Sequence, residues 1–123
     1  MRIVLAYQSG EPIYEQIKEQ IKASILSGAL PENEALPSIR QLARDLRVSV
    51  ITTTRAYSDL ELEGFIQTIP GKGCYVKKVN SEFIRGQYRK EAEAALLCAV
   101  QKGKMAGLTM EELHKLLDET EEP

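Results

Sequence analysis

The stretch "RVSVITTTRAY", residues 47–57, decides the fold. Seven consecutive residues, 48–54, are Val, Ile, Ser or Thr, the composition of a β-strand. Yet Ser49 stands three places before Thr52, the spacing at which a hydroxyl caps a helix N-terminus. Downstream, Ala56 and Leu60 fall on one face with Tyr57, Leu62 and Phe65 close by, and Gly64 follows in the position that ends a helix. A strand running from 49 to 63 would be far longer than usual, and a period of 3.6 fits residues 53–63 better than a period of two. The sequence therefore predicts a helix over 49–63. Its β-branched first half costs a few tenths of a kcal/mol per residue in propensity, so hydroxyls and methyls on its outer face need a purpose.

Upstream, "PSIRQLARDLRV" predicts a short helix of about eight residues. Ser38 is its N-cap, Gln41 completes a capping box, and Ile39, Leu42, Ala43 and Leu46 face inward. Arg47-Val48 is left as a tight turn. Before it, "EPIYEQIKEQIKASILSG" repeats isoleucine at 13, 17, 21 and 25, with Tyr14 and Leu26 widening the stripe. Pro12 suits the first helical position and Gly28 the stop. Between these helices "ALPENEAL" reads as a loop. Downstream, "FIQTIPGKGCYVKKV" predicts a hairpin turning at Pro70-Gly71-Lys72-Gly73, and "RIVLAY" at the N-terminus is a candidate third strand.

From Asn80 the character changes. "SEFIRGQYRKEAEAALLCAVQKG" predicts a long helix with a stripe of Ala92, Ala95, Leu96, Ala99 and Val100, stopped by Gly103. "AGLTMEELHKLLDETEEP" predicts a second, with a Thr109/Glu112 capping box and an apolar face of Met110, Leu113, Leu116 and Leu117. The expected domains are 1–79 and 80–123, and the fold class is mostly α with a small β-wing.

Charge is informative in its distribution rather than its sum. The net charge is −2, but residues 36–58 carry Arg40, Arg44, Arg47 and Arg55 against one acid, Asp45. That is a surface able to face phosphates, or an ordinary solvated one. Other function classes fall away. No apolar run approaches the ~18–20 residues of a membrane span, and "MRIVLAYQSGE" lacks the apolar length and cleavage site of a secretory leader. Cys74 and Cys98 lie far apart and His114 is the single histidine, so no metal set is assembled and no cofactor motif is present. The expected state is two reduced thiols in a cytoplasmic protein, with Cys98 buried beside Leu96 and Ala99. His114 reads as a surface residue, and Lys77 and Lys78 as solvated strand-end charges. No nucleophile, base and orienter can be named together, so no enzyme is expected.

Three helices followed by a hairpin is the order of a winged helix-turn-helix, whose second turn-linked helix enters the major groove of DNA. Ser49, Thr52 and either Thr53 or Thr54 supply short donors and acceptors for base edges. The methyls of threonine and Val50 can meet a thymine methyl. Arg40 and Arg55 reach phosphates or a guanine edge, and Lys72 offers a charge at the tip of a glycine-flanked turn.

Taken together, "PIYEQI", "LPSIRQLARDLRVS", "TTRAYSDLELEGFI" and "GKGCYV" resemble, in order and spacing over residues 10–79, the N-terminal domain of GntR-family bacterial transcription regulators. The short two-helix tail is similar to the YtrA subfamily. That resemblance implies homodimerisation through the tail and repression of a palindromic operator, often of a transporter operon. It places Ser38, Arg40, Ser49, Val50, Ile51, Thr52, Thr54, Gly71, Lys72 and Gly73 against DNA, and Tyr57 either near the DNA backbone or in the core. Three departures stand out. Val50 and Ile51 are apolar where relatives often carry arginine or another polar residue, which favours A/T-rich half-sites. Arg47 stands where glycine is common in the turn. Phe83 and Tyr88 are expected to join the tail stripe in dimer packing rather than to line a ligand pocket, and no residue cluster marks an effector site. The competing expectation is a winged-helix adaptor that binds protein and has lost DNA.

Overall fold

A computed structural model of the chain describes residues 1–120. It divides into two compact units, Met1–Ser81 and a second that opens at Glu82.

The first unit holds α1 (Ile13–Leu26), α2 (Ile39–Leu46), α3 (Val50–Leu62) and an antiparallel hairpin of β1 (Ile66–Ile69) and β2 (Gly73–Val76). The isoleucine repeat of α1 fixes its orientation. Ile17, Ile21 and Ile25 are buried, and so are Ala56, Tyr57 and Leu60 of α3, the helix that α1 packs on, and Leu42 and Ala43 of α2, which packs on α3 in turn. Phe65, Ile66 and Val76 close the core from the wing. Each such aliphatic side chain contributes about 1.5–3 kcal/mol when fully buried. Leu62 departs from expectation: it is exposed, because it lies about 200° around the helix from Leu60 and so faces away from the core.

The register Ile66↔Val76, Gln67↔Tyr75, Thr68↔Cys74, Ile69↔Gly73 defines the wing. Lys72 N donates to Ile69 O at 2.9 Å, with Pro70 and then Gly71 at φ 78° between them. A proline followed by a residue of positive φ is the type II pattern. The third partner of the hairpin is the "ALPENEAL" segment rather than the N-terminus. Ala35 bridges Tyr75, and Leu36 N donates to Cys74 O at 2.9 Å and Val76 N to Glu34 O at 2.9 Å.

Residues 2–7 form no strand. Two glutamines of α1 hold them by their side-chain amides. Gln20 pairs with both backbone groups of Val4 (2.9 and 2.7 Å), and Gln16 with both of Ala6 (2.8 and 2.9 Å). A primary amide presents the same donor and acceptor as a peptide group, so each glutamine supplies what a neighbouring strand would. Pro12 is the residue before α1 rather than its first residue. Its fixed φ suits that place equally well.

An ion cluster binds α1 to the end of α3. Lys18 lies 3.3 Å from Glu15, 3.7 Å from Asp59 and 3.2 Å from Glu63, and Lys22 pairs with Glu63 while standing over the Phe65 ring. Burial works to lower the Lys18 pKa, but hydrogen bonds to Glu63 and Glu15 prevail and raise it above its ordinary 10.5. Burial likewise opposes ionisation of Glu63. Lys22 and Lys18 overcome it and hold that carboxyl below its ordinary value.

The second unit holds α4 (Ser81–Met105), apart from its first residue, and α5 (Met110–Thr120). The capping box forms in full: Glu112 N donates to Thr109 Oγ1 at 3.1 Å, and Thr109 N donates to Glu112 Oε1 at 2.9 Å. That backbone bond, joined by the Thr109 hydroxyl, lowers the Glu112 pKa. Gly103 does not stop α4. It lies inside the helix and is buried, and a Cβ there would come within 2.7 Å of Leu113 Cδ2. The stop is Gly107, at φ 77°. Cys98 is exposed rather than buried, and so are Leu96 and Ala99 beside it, because among the described residues this length of α4 buries no side chain.

Candidate nucleic-acid interface

The turn between α2 and α3 is built by three local devices. Ser38 Oγ accepts from Gln41 N at 3.1 Å and starts α2. The reciprocal half of the expected capping box is absent, because Gln41 Nε2 donates to Asp45 Oδ1 at 2.7 Å instead. That contact engages the lone acid of the arginine-rich stretch. At the other end Arg47 adopts φ 57°, ψ 45°. Val48 N donates to Ala43 O at 3.0 Å and Arg47 N to Arg44 O at 3.3 Å, the paired bonds of a Schellman motif. Ser49 Oγ then accepts from Thr52 N at 3.0 Å and starts α3.

The opening ambiguity is resolved in favour of the helix, and its faces separate cleanly. Thr53, Ala56, Tyr57 and Leu60 are buried, whereas Ile51, Thr54, Arg55 and Ser58 are exposed. The exposed set recurs at three- and four-residue steps, so it forms one outward stripe. Val50 is 47% and Ile51 81% exposed. Of the two threonines left open, Thr54 faces out. Thr53 is fully buried and its hydroxyl donates back to Ser49 O at 3.3 Å. Ser49 and Thr52 share a hydroxyl–hydroxyl bond of 2.8 Å at the leading edge.

Tyr57 requires a correction. It is core, not surface: its ring is buried and its hydroxyl donates to Pro37 O at 2.7 Å. Burial pushes its pKa well above the ordinary value. Its contribution is therefore to fix the residue preceding the Ser38 cap, and so the start of α2, against α3.

Elsewhere in the unit, Ser38 at the cap of α2 and Arg40, Gln41 and Arg44 on α2 are exposed, as are Gly71, Lys72 and Gly73 at the wing tip. Gly73 has φ 119°, a conformation that a side chain would strain. Among the described residues none of Arg40, Arg44, Arg47 and Arg55 forms an ion pair. Lys18 and Lys22, by contrast, are consumed by carboxylates. Arg55 instead places its guanidinium carbon 3.8 Å from the centroid of the Tyr14 ring on α1. Sequence reading missed this contact, because Tyr14 sits where it simply widens an apolar stripe. The exposed Arg44, also unassigned, could have been found from its place one turn after Arg40.

In the second unit the expected tail residues share one feature. Leu96, Ala99 and Val100 of α4 and Leu113, Leu116 and Leu117 of α5 line an open apolar groove of about 550 Å³, with Gly103, Met110 and His114. Phe83, Tyr88, Ala92 and Ala95 are exposed further toward the start of α4 and do not line it. Among the described residues no cluster of His, Cys, Asp and Glu is arranged to hold a metal, and no helix is long and apolar enough to cross a membrane.

A helix-turn-helix with a flanking hairpin, an outward stripe of hydroxyls and methyls, and arginines that no carboxylate pairs defines a winged-helix DNA-binding regulator. The chain belongs to the GntR family: residues 13–76 match the bacterial regulatory proteins of that family. It is 34% identical over 113 residues to the HTH-type transcriptional repressor YtrA of Bacillus subtilis (strain 168), covering 91% of this chain and 86% of that one. A solved structure of a transcriptional antiterminator from Listeria monocytogenes EGD-e matches with TM-score 0.70 and 32% identity, covering 99% of this chain and 91% of that one. The AraR DNA-binding domain in complex with operator ORR3 matches with TM-score 0.52 and 28% identity, covering 62% of this chain and 92% of that one. The proteins it is similar to are thus transcription regulators rather than enzymes.

Proposed function

We propose that this chain is a cytoplasmic, homodimeric repressor that binds a palindromic operator, with a transporter operon as the regulated unit. The observation that carries the reading is the division of α3: its inner face is sealed in the core, and its outer face exposes Ile51, Thr54 and Arg55, while Arg40 of α2 is exposed as well. In this reading α3 enters the major groove. Ser49, Thr52 and Thr54 meet base edges, and Val50 and Ile51 meet thymine methyls. Ser38, Arg40 and Arg55 hold the phosphate backbone, and the Gly71-Lys72-Gly73 tip reaches the adjacent backbone or minor groove. The tail supplies the two-fold axis: a second copy covers the groove of Leu96, Val100, Leu113, Leu116 and Leu117, and Phe83, Tyr88, Ala92 and Ala95 extend the seam. A symmetric dimer fits half-sites about one helical turn apart. The transporter target is carried from the resemblance to the YtrA subfamily.

The test is duplex binding by the full chain at two salt concentrations, with a duplex enriched from random-sequence DNA by the wild type. Several phosphate contacts require a steep fall in affinity with salt. Replacing Thr52 by Ala is expected to cost about 1–3 kcal/mol of specific binding, and Arg40→Ala to weaken binding across sequences and lower the salt slope by about one. Exposure of Ile51, apolar and outward, is what favours a second reading, a protein-binding adaptor. Salt-insensitive or absent duplex binding would select it.

A further inference from the structure

We infer that Tyr14, on the helix that precedes the helix-turn-helix, is a positioning residue for DNA binding: its ring holds the Arg55 guanidinium ready for a phosphate. The inference rests on the DNA reading above and concerns how one of its contacts is made.

Arg55 lies on the outward stripe of α3, one residue beyond Thr54 and four beyond Ile51. A free arginine there would sample many rotamers, and ordering it on a phosphate would cost entropy for each immobilised torsion. Its guanidinium instead stands 3.8 Å from the Tyr14 ring centroid, within the range of a cation–π contact. Stacking uses the face of the guanidinium plane and leaves the N–H groups at its edge, which are the groups that fork onto a phosphate. No carboxylate competes, since Arg55 forms no ion pair among the described residues. Tyr14 is half-buried on α1, and α1 is anchored by Ile17 and Ile21, both fully buried. The ring is therefore a fixed platform. The same helix spends both its lysines, Lys18 and Lys22, on carboxylates, so its contribution to the DNA face is made through this ring rather than through a charge of its own.

The experiment is a double-mutant cycle in the full chain on the enriched duplex, with Tyr14→Leu, Tyr14→Phe, Arg55→Ala and the Tyr14→Leu/Arg55→Ala pair. Removing Arg55 should weaken binding and lower the salt slope by about one phosphate. Tyr14→Leu should weaken binding about two- to fivefold, the worth of an exposed cation–π contact, and should cost nothing further once Arg55 is gone. Tyr14→Phe, which keeps the aromatic face, should bind as the wild type does. A second measurement needs no DNA: the Arg55 side-chain protons should be shifted by the ring current in the NMR spectrum of the wild type and of Tyr14→Phe. Equal losses from Tyr14→Leu with and without Arg55, or no ring-current shift, would overturn the inference while leaving the DNA reading intact. Failure of the wild type to enrich any duplex would overturn both.

Discussion

The two units use the same amphipathic pattern to opposite ends. In α1, isoleucines at four-residue steps are sealed: Ile17 and Ile21 have no exposed surface. In α5, leucines at comparable steps stay open, Leu116 at 45% and Leu117 at 52%. Among the described residues α4 buries Gly103 and α5 buries none. Periodicity records that a helix has an apolar face. It does not record what covers that face: in the first unit the rest of the unit does, and in the second the leucines stay exposed, for the second copy proposed above to cover. Contiguous exposed apolar surface of this kind marks an interaction site.

The largest expected effect tests that difference directly. Leu116→Asp with Leu117→Asp should convert a dimer to a monomer in analytical ultracentrifugation. Operator affinity should drop by orders of magnitude, because each half-site is then bound without the effective concentration supplied by the other. The circular dichroism of the folded helices and the melting of the first unit should change little. A dimer that survives both substitutions would place the two-fold axis elsewhere. In α1 the corresponding truncation is a folding defect: Ile21→Ala should cost about 2–5 kcal/mol in denaturant unfolding, the usual range for a buried large-to-small change. Leu117→Ala should leave unfolding of the first unit unchanged and shift only the concentration dependence of association.

Electrostatics gives a smaller version of the same contrast, between the cations of α1 and those of α2 and α3. Glu63→Gln should cost about 1 kcal/mol, discounted because the carboxylate is partly solvated. The pH dependence has a definite sign. The Glu63 pKa is lowered by folding, so its stabilisation is present above the ordinary 4.5 and is lost as pH falls through the lowered value. The Lys18 pKa is raised, so its contribution is present below 10.5 and is lost as pH rises through the raised value. A melting profile between these limits should be nearly flat, and Glu63→Gln should flatten the acid limb. Arg40→Ala, by contrast, should move DNA affinity and leave the melting temperature alone.

The same contrast explains what the sequence made legible. All five helices and the hairpin follow from local rules: caps at Ser38, Ser49 and Thr109, glycine stops, and 3.6- or 2-residue periods. The helix at 49–63 was recoverable even from strand-like composition, because capping and length outweigh a propensity cost of tenths of a kcal/mol. What was not legible depends on contacts distant in sequence. Tyr57 could be assigned to core or surface only by seeing its hydroxyl reach Pro37, twenty residues away. Gly103 reads as a stop by composition and is in fact the close-packing position opposite Leu113. The third partner of the wing is a loop without strand composition, and the strand-like N-terminus is held by glutamine amides, for which no simple pattern exists.

The smallest expected effect concerns two helix ends closed by the same motif with different residues. After α3, Gly64 takes φ 84°, with Phe65 N donating to Leu60 O at 2.9 Å and Gly64 N to Glu61 O at 3.1 Å. After α2, Arg47 takes φ 57° with the equivalent bonds. Glycine meets no Cβ penalty in this region, whereas an L side chain there costs roughly 1–2 kcal/mol. Glycine also gives up more backbone freedom on folding, which offsets part of the gain. Arg47→Gly should therefore raise stability by about 0.5–1 kcal/mol. If Arg47 also touches a phosphate, the same substitution should lower the salt slope of duplex binding by about one. A stabilised protein with an unchanged slope would show that the arginine serves neither the turn nor the DNA. Unchanged stability with a reduced slope would show that its charge is retained for binding at no cost to the fold.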